Sequence, residues 1–215
     1  MNFIFLAKQG TGKGTYAQAM QEKYGLVQVS TGDLCREEAK KNTETGKKVA
    51  EALKAGKYVD DAIVTELLRQ RLQEPDCGKG FILDGYPRTL EQTRILDKML
   101  EGMGKKINAV VYFAASEATL LDRLTGRRQC RKCFKVYHVR NIPPKKPGVC
   151  DACGGEVYQR EDDSEEMIRK RFKEYDSKTK PLIDYYKNKG LLVEVNADEA
   201  LEKVKEQLSI IVEKG

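Results

Sequence analysis

Residues 10–15 read Gly-Thr-Gly-Lys-Gly-Thr. Small residues let a backbone close around an anion with its N–H groups turned inward, and the lysine adds a full positive charge. That is chemistry for the phosphates of a nucleotide. Gly10, Thr11, Gly12, Lys13, Gly14 and Thr15 would form the cradle, with Lys13 reaching the β- and γ-phosphates. A glycine-rich turn carrying a solvated lysine is the plainer alternative. The strict phosphate-loop pattern also asks for Gly five residues before the Gly-Lys pair and Ser or Thr after the lysine. Ala7 and Gly14 stand at those places.

A second chemistry lies at Cys130-Arg-Lys-Cys133 and Cys150-Asp-Ala-Cys153, two pairs with sixteen residues between them. This spacing suits four thiolates around one tetrahedral Zn²⁺ with no open position, a structural site rather than a catalytic one. An iron–sulfur site or two redox pairs are the other readings. The surrounding segment is basic: Arg123 to Cys150 holds nine Lys or Arg and no acid. His138, the only histidine, lies outside the spacing and reads as lid packing or as a contact to the metal's ligands, not as a ligand itself. Cys35 and Cys77 have no partner at metal spacing and read as free thiols.

These groups need elements to hold them. Short apolar runs at Asn2 to Leu6, Val27 to Val29, Phe81 to Leu83, Ala109 to Phe113 and Leu192 to Val195 read as buried strands. Amphipathic stretches lie at Lys13 to Tyr24, Asp61 to Leu72, Leu90 to Met103, Glu117 to Leu124 and Ser164 to Lys187. Strands alternating with helices predict an α/β fold, a parallel sheet covered on both faces. The phosphate loop then joins a strand to a helix, and Asp84 ends a strand, where such sheets place ligand groups. A helix or turn cap is the plainer alternative for Asp84. Residues 30–59 are polar and helical, and residues 126–163 form a compositional island. Both read as insertions on a core made of 1–29, 60–125 and 164–215.

The chain has 215 residues, 39 basic against 33 acidic, and a formal charge of +6; 40% of it is hydrophobic and 33% charged. That excludes disordered, collagen-like and low-complexity classes. No apolar run approaches the roughly 20 residues of a membrane span. The N-terminus lacks a signal-peptide pattern, so a cytoplasmic protein with reduced thiols is expected. A charge of +6 permits a polyanionic ligand without choosing between nucleotide and nucleic acid.

The run Gly12-Lys13-Gly14-Thr15 resembles that of the adenylate kinases, and the resemblance spans nearly the whole chain. Ser30-Thr-Gly-Asp33 with Arg36 is similar to the family's AMP-binding start. Phe81-Ile-Leu-Asp-Gly-Tyr-Pro-Arg88 with Gln92 matches its most diagnostic signature. Leu124-Thr-Gly-Arg-Arg128 and Tyr158-Gln-Arg-Glu-Asp-Asp163 resemble the two ends of a long lid, and Arg171 follows. The resemblance implies the P-loop nucleoside-monophosphate kinase fold with two mobile insertions: 30–59 for AMP, and 126–163 as a zinc-binding lid. It also implies transfer from Mg-ATP to AMP, giving two ADP.

By the same resemblance Lys13, Arg88, Arg123, Arg160, Arg171 and Asp84 are catalytic, with Asp84 orienting Mg²⁺ through water and Asp33 supporting it. Gly10 to Thr15, Arg123, Arg127, Val136 and Tyr137 would bind ATP. Thr31, Arg36, Lys57, Tyr58, Val59, Gly85, Arg88, Gln92, Arg160 and Arg171 would bind AMP. Asp162 and Asp163 could pair with arginines at the lid hinge or form a solvated acidic run. Gly32 and Gly126 are candidate hinges. The implied enzyme is a monomer whose partners are ATP, AMP and ADP, without nucleic acid or membrane. Three departures stand out: Ala7-Lys8-Gln9 in the phosphate loop, Val59-Asp60-Asp61 where Val-Pro-Asp is usual, and Ala197 where glycine is frequent. If the position of Ala7 needs a positive φ, its methyl strains the loop. The competing readings are a monophosphate kinase of other acceptor or donor preference, such as GTP:AMP, and a zinc-ribbon nucleic-acid binder.

Overall fold

The computed structural model describes residues 1–214. Five strands, β1 (Asn2–Leu6), β2 (Val27–Ser30), β3 (Phe81–Asp84), β4 (Ala109–Ala114) and β8 (Leu192–Asn196), form one parallel sheet in the order β2-β3-β1-β4-β8. Strand periodicity divides the core. Ile4 and Leu6 join one apolar cluster with Leu83, Val110 and Leu68, while Phe3 and Phe5 join the other with Ile82, Val111 and Phe113. Each fully buried side chain of this size contributes about 1.5–3 kcal/mol. Both faces are therefore covered, as the continuous apolar runs require.

Helices α1 (Lys13–Tyr24) and α9 (Leu201–Lys214) cover the face lined by Phe3 and Phe5. On the other face pack α4 (Asp61–Leu72), α5 (Leu90–Gly102) and α8 (Pro181–Asn188). The first insertion is α2 (Thr31–Glu38) and α3 (Glu44–Lys54), each started by a hydroxyl cap, Ser30 to the Asp33 N–H and Thr43 to the Gly46 N–H. Asp60, at the place of the usual proline, caps α4 by accepting from the N–H groups of Ala62 and Ile63. That departure exchanges a fixed φ for a cap and keeps the helix start.

The stretch from Ser164 to Lys187, expected as one helix, is two: α7 (Glu165–Lys178) and α8. Pro181 has no N–H and cannot continue the ladder, but it suits the first turn of the next helix. The break puts Thr179 in the turn, where its hydroxyl donates to the Arg88 carbonyl at 2.9 Å.

Helix α6 (Glu117–Thr125) leads into the second insertion. Here β5 (Arg127–Cys130), β6 (Val136–His138) and β7 (Val157–Tyr158) form a small antiparallel sheet in the order β6-β5-β7. Its buried cluster is only Cys130, Tyr137 and Cys150. That is too little apolar surface to fold a segment of this length unaided. Gly126 lies under the His138 ring; a Cβ there would meet Nε2 at 2.1 Å. His138 Nδ1 also accepts from the N–H groups of Arg140 and Asn141, so this residue packs the lid's root.

Candidate active site and cysteine cluster

The phosphate loop leaves the C-terminal end of β1, beside the ends of β3 and β4. Gly10 and Gly12 both take φ of 92°, a region that excludes side chains. Helix α1 starts without a side-chain cap and without an acid in its first turn. Its free N–H groups and the positive end of its dipole are left for an anion. The Lys13 ammonium rests on the carbonyls of Ala7 (3.2 Å) and Lys8 (3.4 Å) and lies 3.9 Å from an Asp84 carboxylate oxygen. Burial pushes its pKa down, and nearby Arg88, Arg171 and Arg127 push it the same way against Asp84.

Ala7 is not at a positive φ; among the described residues only Phe134 combines that region with a side chain. Ala7 is buried with the sheet's apolar face, so the expected loop strain is absent. The Lys8 side chain is largely covered. Its ammonium holds Glu117 at 2.6 Å and Asp176 at 2.8 Å, and lies 5.2 Å above the Phe172 ring. Burial lowers its pKa, but the hydrogen bonds to Asp176 and Glu117 outweigh that, and it is raised. Nothing in the spacing of the sequence could have shown this, since the partners are 109 and 168 residues away. Gln9 buries a side-chain oxygen without a partner among the described residues.

Beside the loop, the Gln28 amide donates to Asp84 at 3.1 Å, and the Thr31 hydroxyl donates to the Asp84 carbonyl. Arg36 pairs with Asp33. Gly85, at φ 84°, admits the Arg88 guanidinium and Thr31 so closely that a Cβ would sit 3.0 Å from each. Arg88 donates to the Gly85 carbonyl at 2.7 Å and stacks 4.7 Å from the Tyr58 ring, whose hydroxyl meets Thr179. Val59 is buried and Lys57 is exposed. Gln92 is buried with both ends of its amide engaged: its oxygen accepts from the Arg88 N–H at 2.6 Å, and its nitrogen donates to Asp61 at 2.6 Å.

Across the cleft the two acids are not a solvated run. Asp163, fully buried, accepts a bidentate pair from Arg127; Asp162 accepts one from Arg160 and also binds Arg171 at 3.1 Å. Burial works against the Asp162 charge, but Arg160 and Arg171 hold its pKa down at about 2. Arg171 is lowered to about 10 by burial and the neighbouring arginines, and stays cationic at neutral pH. Arg123 donates to the carbonyls of Thr11 (3.4 Å) and Ala197 (3.1 Å), spanning the loop and the end of β8. Tyr137 is turned into the lid, where its hydroxyl meets the Cys150 sulfur at 3.3 Å and accepts from the Asp151 N–H; Val136 beside it is 51% exposed.

A family model described as adenylate kinase matches residues 5–191. The chain belongs to the adenylate kinase family. It is 50% identical over 214 residues to an adenylate kinase of Archaeoglobus fulgidus, covering all of this chain and 99% of the relative. An adenylate kinase of Fervidobacterium nodosum is 47% identical over 204 residues, covering 95% of this chain and 94% of the relative. One of Geobacter sulfurreducens is 45% identical over 213 residues, covering 99% and 98%. The activity is that of an ATP:AMP phosphotransferase.

The kinase carries its four cysteines as one cluster. All four sulfurs lie within 4.8 Å of one another, with Cys130–Cys153 and Cys133–Cys150 both at 3.5 Å. A tetrahedron of about 2.3 Å metal–sulfur bonds needs edges of about 3.8 Å, so the four thiols fit one metal ion. The two knuckles repeat each other. The Cys130 carbonyl accepts from the Phe134 N–H and the Cys150 carbonyl from the Gly154 N–H. Phe134 and Gly154 take φ of 61° and 70°. No helix among the described residues is long and apolar enough to cross a membrane.

Proposed function

We propose that ATP lays its phosphates on Gly10–Thr15, that AMP binds between Thr31, Arg36, Gly85, Arg88 and Gln92, and that phosphoryl transfer occurs between them. The observation that supports this most is the crowding of Lys13, Arg88, Arg127 and Arg171, close enough that their charges disfavour the Lys13 ammonium. Asp84, Asp163 and Asp162 offset Lys13, Arg127 and Arg171 only in part, so the cluster as a whole favours the arrival of a polyanion. Transferring a phosphoryl group spreads negative charge over three oxygens at that point.

An AMP phosphate oxygen bonds to the γ-phosphorus of ATP as the β–γ bridging bond breaks, giving two ADP. The attacking oxygen is largely ionised at neutral pH, since its second pKa is about 6, so no side chain need remove a proton. The protein's work is alignment and charge stabilisation. Lys13 and the loop amides hold the donor. Arg88, fixed by the Gly85 carbonyl and the Tyr58 ring, holds the acceptor phosphate. Arg160 and Arg171, held by Asp162, come over both as the lid closes. Arg123 and Arg127 flank ATP, with Val136 the lid contact. Asp84, beside Lys13 and oriented by Gln28, would hold the water shell of Mg²⁺, which supplies neutralisation of the triphosphate when bound.

The cluster of Cys130, Cys133, Cys150 and Cys153 would hold a structural Zn²⁺, which replaces the core the lid lacks. The core is 1–29, 60–125 and 164–215, and the segments 30–59 and 126–163 move on it. The reading includes a monomeric, cytoplasmic enzyme with nucleotides as its partners; six unpaired thiols suit a reducing compartment.

The test is ADP formation across acceptor monophosphates with ATP as donor. AMP should exceed CMP, UMP and GMP by at least about tenfold in kcat/KM, the value of one buried hydrogen bond. Comparable turnover of CMP would exclude the acceptor assignment, and equal use of GTP would leave the donor base unread.

A further inference from the structure

Lys8 has its two ends in different places. Its backbone carbonyl accepts from the Thr11 hydroxyl at 3.2 Å and from the Lys13 ammonium at 3.4 Å, inside the phosphate loop. Its side chain, 17% exposed, leaves the loop to bind Glu117 in the first turn of α6 and Asp176 near the end of α7. Those are the helices that carry Arg123 and Arg171. Arg123 returns from α6 to the Thr11 carbonyl, closing a circuit of loop, helix and loop.

We propose that Lys8 is a positioning residue for phosphoryl transfer: its ion pairs with Glu117 and Asp176 lock the phosphate loop to the two helices bearing Arg123 and Arg171, and set where Lys13 stands. The proposal rests on reading that loop as the ATP site.

The loop has reason to need such a lock. With φ of 92° at both Gly10 and Gly12, it is built from residues that pay the largest entropy to be fixed. Gln9 adds no hydrogen bond through its side-chain oxygen, which is buried without a partner among the described residues. Held only by its internal hydrogen bonds and by Arg123, the loop would sample arrangements in which its N–H groups do not converge, and ATP would have to select among them. A side chain fixed at two carboxylates and against the Phe172 ring removes that freedom in advance. One ammonium then serves three elements, so a shift of α6 or α7 carries the loop with it. Lys8 itself need never touch the nucleotide.

Lys8→Gln should raise the KM for ATP and lower kcat/KM for ATP by about tenfold, with the KM for AMP within about twofold, while Lys8→Arg keeps most of the activity because Arg also reaches two carboxylates. The double variant Glu117→Gln with Asp176→Asn should show the same loss. Adding Lys8→Gln to that double variant should change kcat/KM by less than about twofold, since residues acting as one unit are not additive. A Lys8→Gln loss that persists in full on the Glu117/Asp176 background would mean that Lys8 contacts the nucleotide, and would overturn the proposal. A lower melting temperature with unchanged kinetic constants would overturn it too, leaving the ion pairs as stabilising contacts only. Lys13→Met in the same series reports on the loop itself. If it leaves the KM for ATP unchanged, the ATP assignment fails, whatever Lys8 does.

Discussion

Single residues carry conformational demands that their neighbours in sequence do not share. Gly10 combines φ of 92° with a wall: a Cβ there would meet Leu124 at 2.9 Å and the Leu120 carbonyl at 3.0 Å. Gly10→Ala should weaken ATP by about tenfold or more, equivalent to roughly 1–2 kcal/mol of backbone strain. Ala7→Gly should leave ATP within about twofold, because Ala7 already has a conformation that any residue adopts. Titration of both variants with an ATP analogue checks the pair, and tighter binding by Ala7→Gly would contradict the relaxed loop. Asp162 makes a second prediction, on acid stability. Its folded-state pKa, about 2, lies below the ordinary value of 3.8. A depressed carboxylate stabilises the fold above its unfolded pKa and loses that contribution as pH falls through the folded one. The contribution, on the order of 2 kcal/mol, should therefore disappear between about pH 4 and pH 2. Urea unfolding across that window should fall more steeply for the native protein than for Asp162→Asn, and parallel curves would show that the pair is not formed in solution.

At the scale of elements, the second insertion depends on chemistry rather than on area. Its sheet has strands of four, three and two residues, and two of the three residues of its buried cluster are cysteines. Even its turn carries strain, with Phe134 in the left-handed region that the matching knuckle gives to Gly154. The ring remains useful there, since Lys40 of the first insertion lies 5.2 Å from its centroid. A metal that binds the folded lid and not the unfolded chain must raise the melting temperature. One Zn²⁺ per chain is expected by elemental analysis. Chelation should lower the melting temperature by several degrees and the moderate-temperature activity less, because the lid's thiols are not reactants. Protein purified without chelator and found free of zinc and iron would refute the metal assignment.

For the whole molecule, the two insertions meet. The Lys40–Phe134 contact joins segments that are far apart in sequence; burial pushes the Asp33 pKa up, but Arg36 outweighs it and holds the carboxylate low, with Arg160 near enough to help. On the proposed function this arrangement would exclude water from the reacting phosphates, and a turnover cycle would require it to open for product release. A bisubstrate analogue joining two adenosines through a phosphate chain should therefore reduce the radius of gyration in solution scattering. Free and saturated protein with the same radius would mean that the insertions do not move as proposed.

The sequence determined the parallel sheet, the glycine-lysine loop at the end of its first strand and the gathering of the four lid cysteines, because each is written in local pattern. Buried strands are continuous apolar runs such as Phe81 to Leu83, glycine and lysine cluster between a strand and a helix, and the cysteines recur at fixed spacing. Even the helix break at Pro181 was legible in one residue, though a continuous amphipathic pattern obscured it. Tertiary structure alone decided which charges pair. Whether Asp162 and Asp163 were a solvated run or the partners of Arg160, Arg171 and Arg127 depended on burial, which sequence spacing does not encode. It also decided that Ala7 is unstrained, because φ follows from how β1 ends against α1. And it decided that Lys8 leaves its own loop for Glu117 and Asp176, since an ion pair is selected by distance in space and these partners lie more than a hundred residues away along the chain.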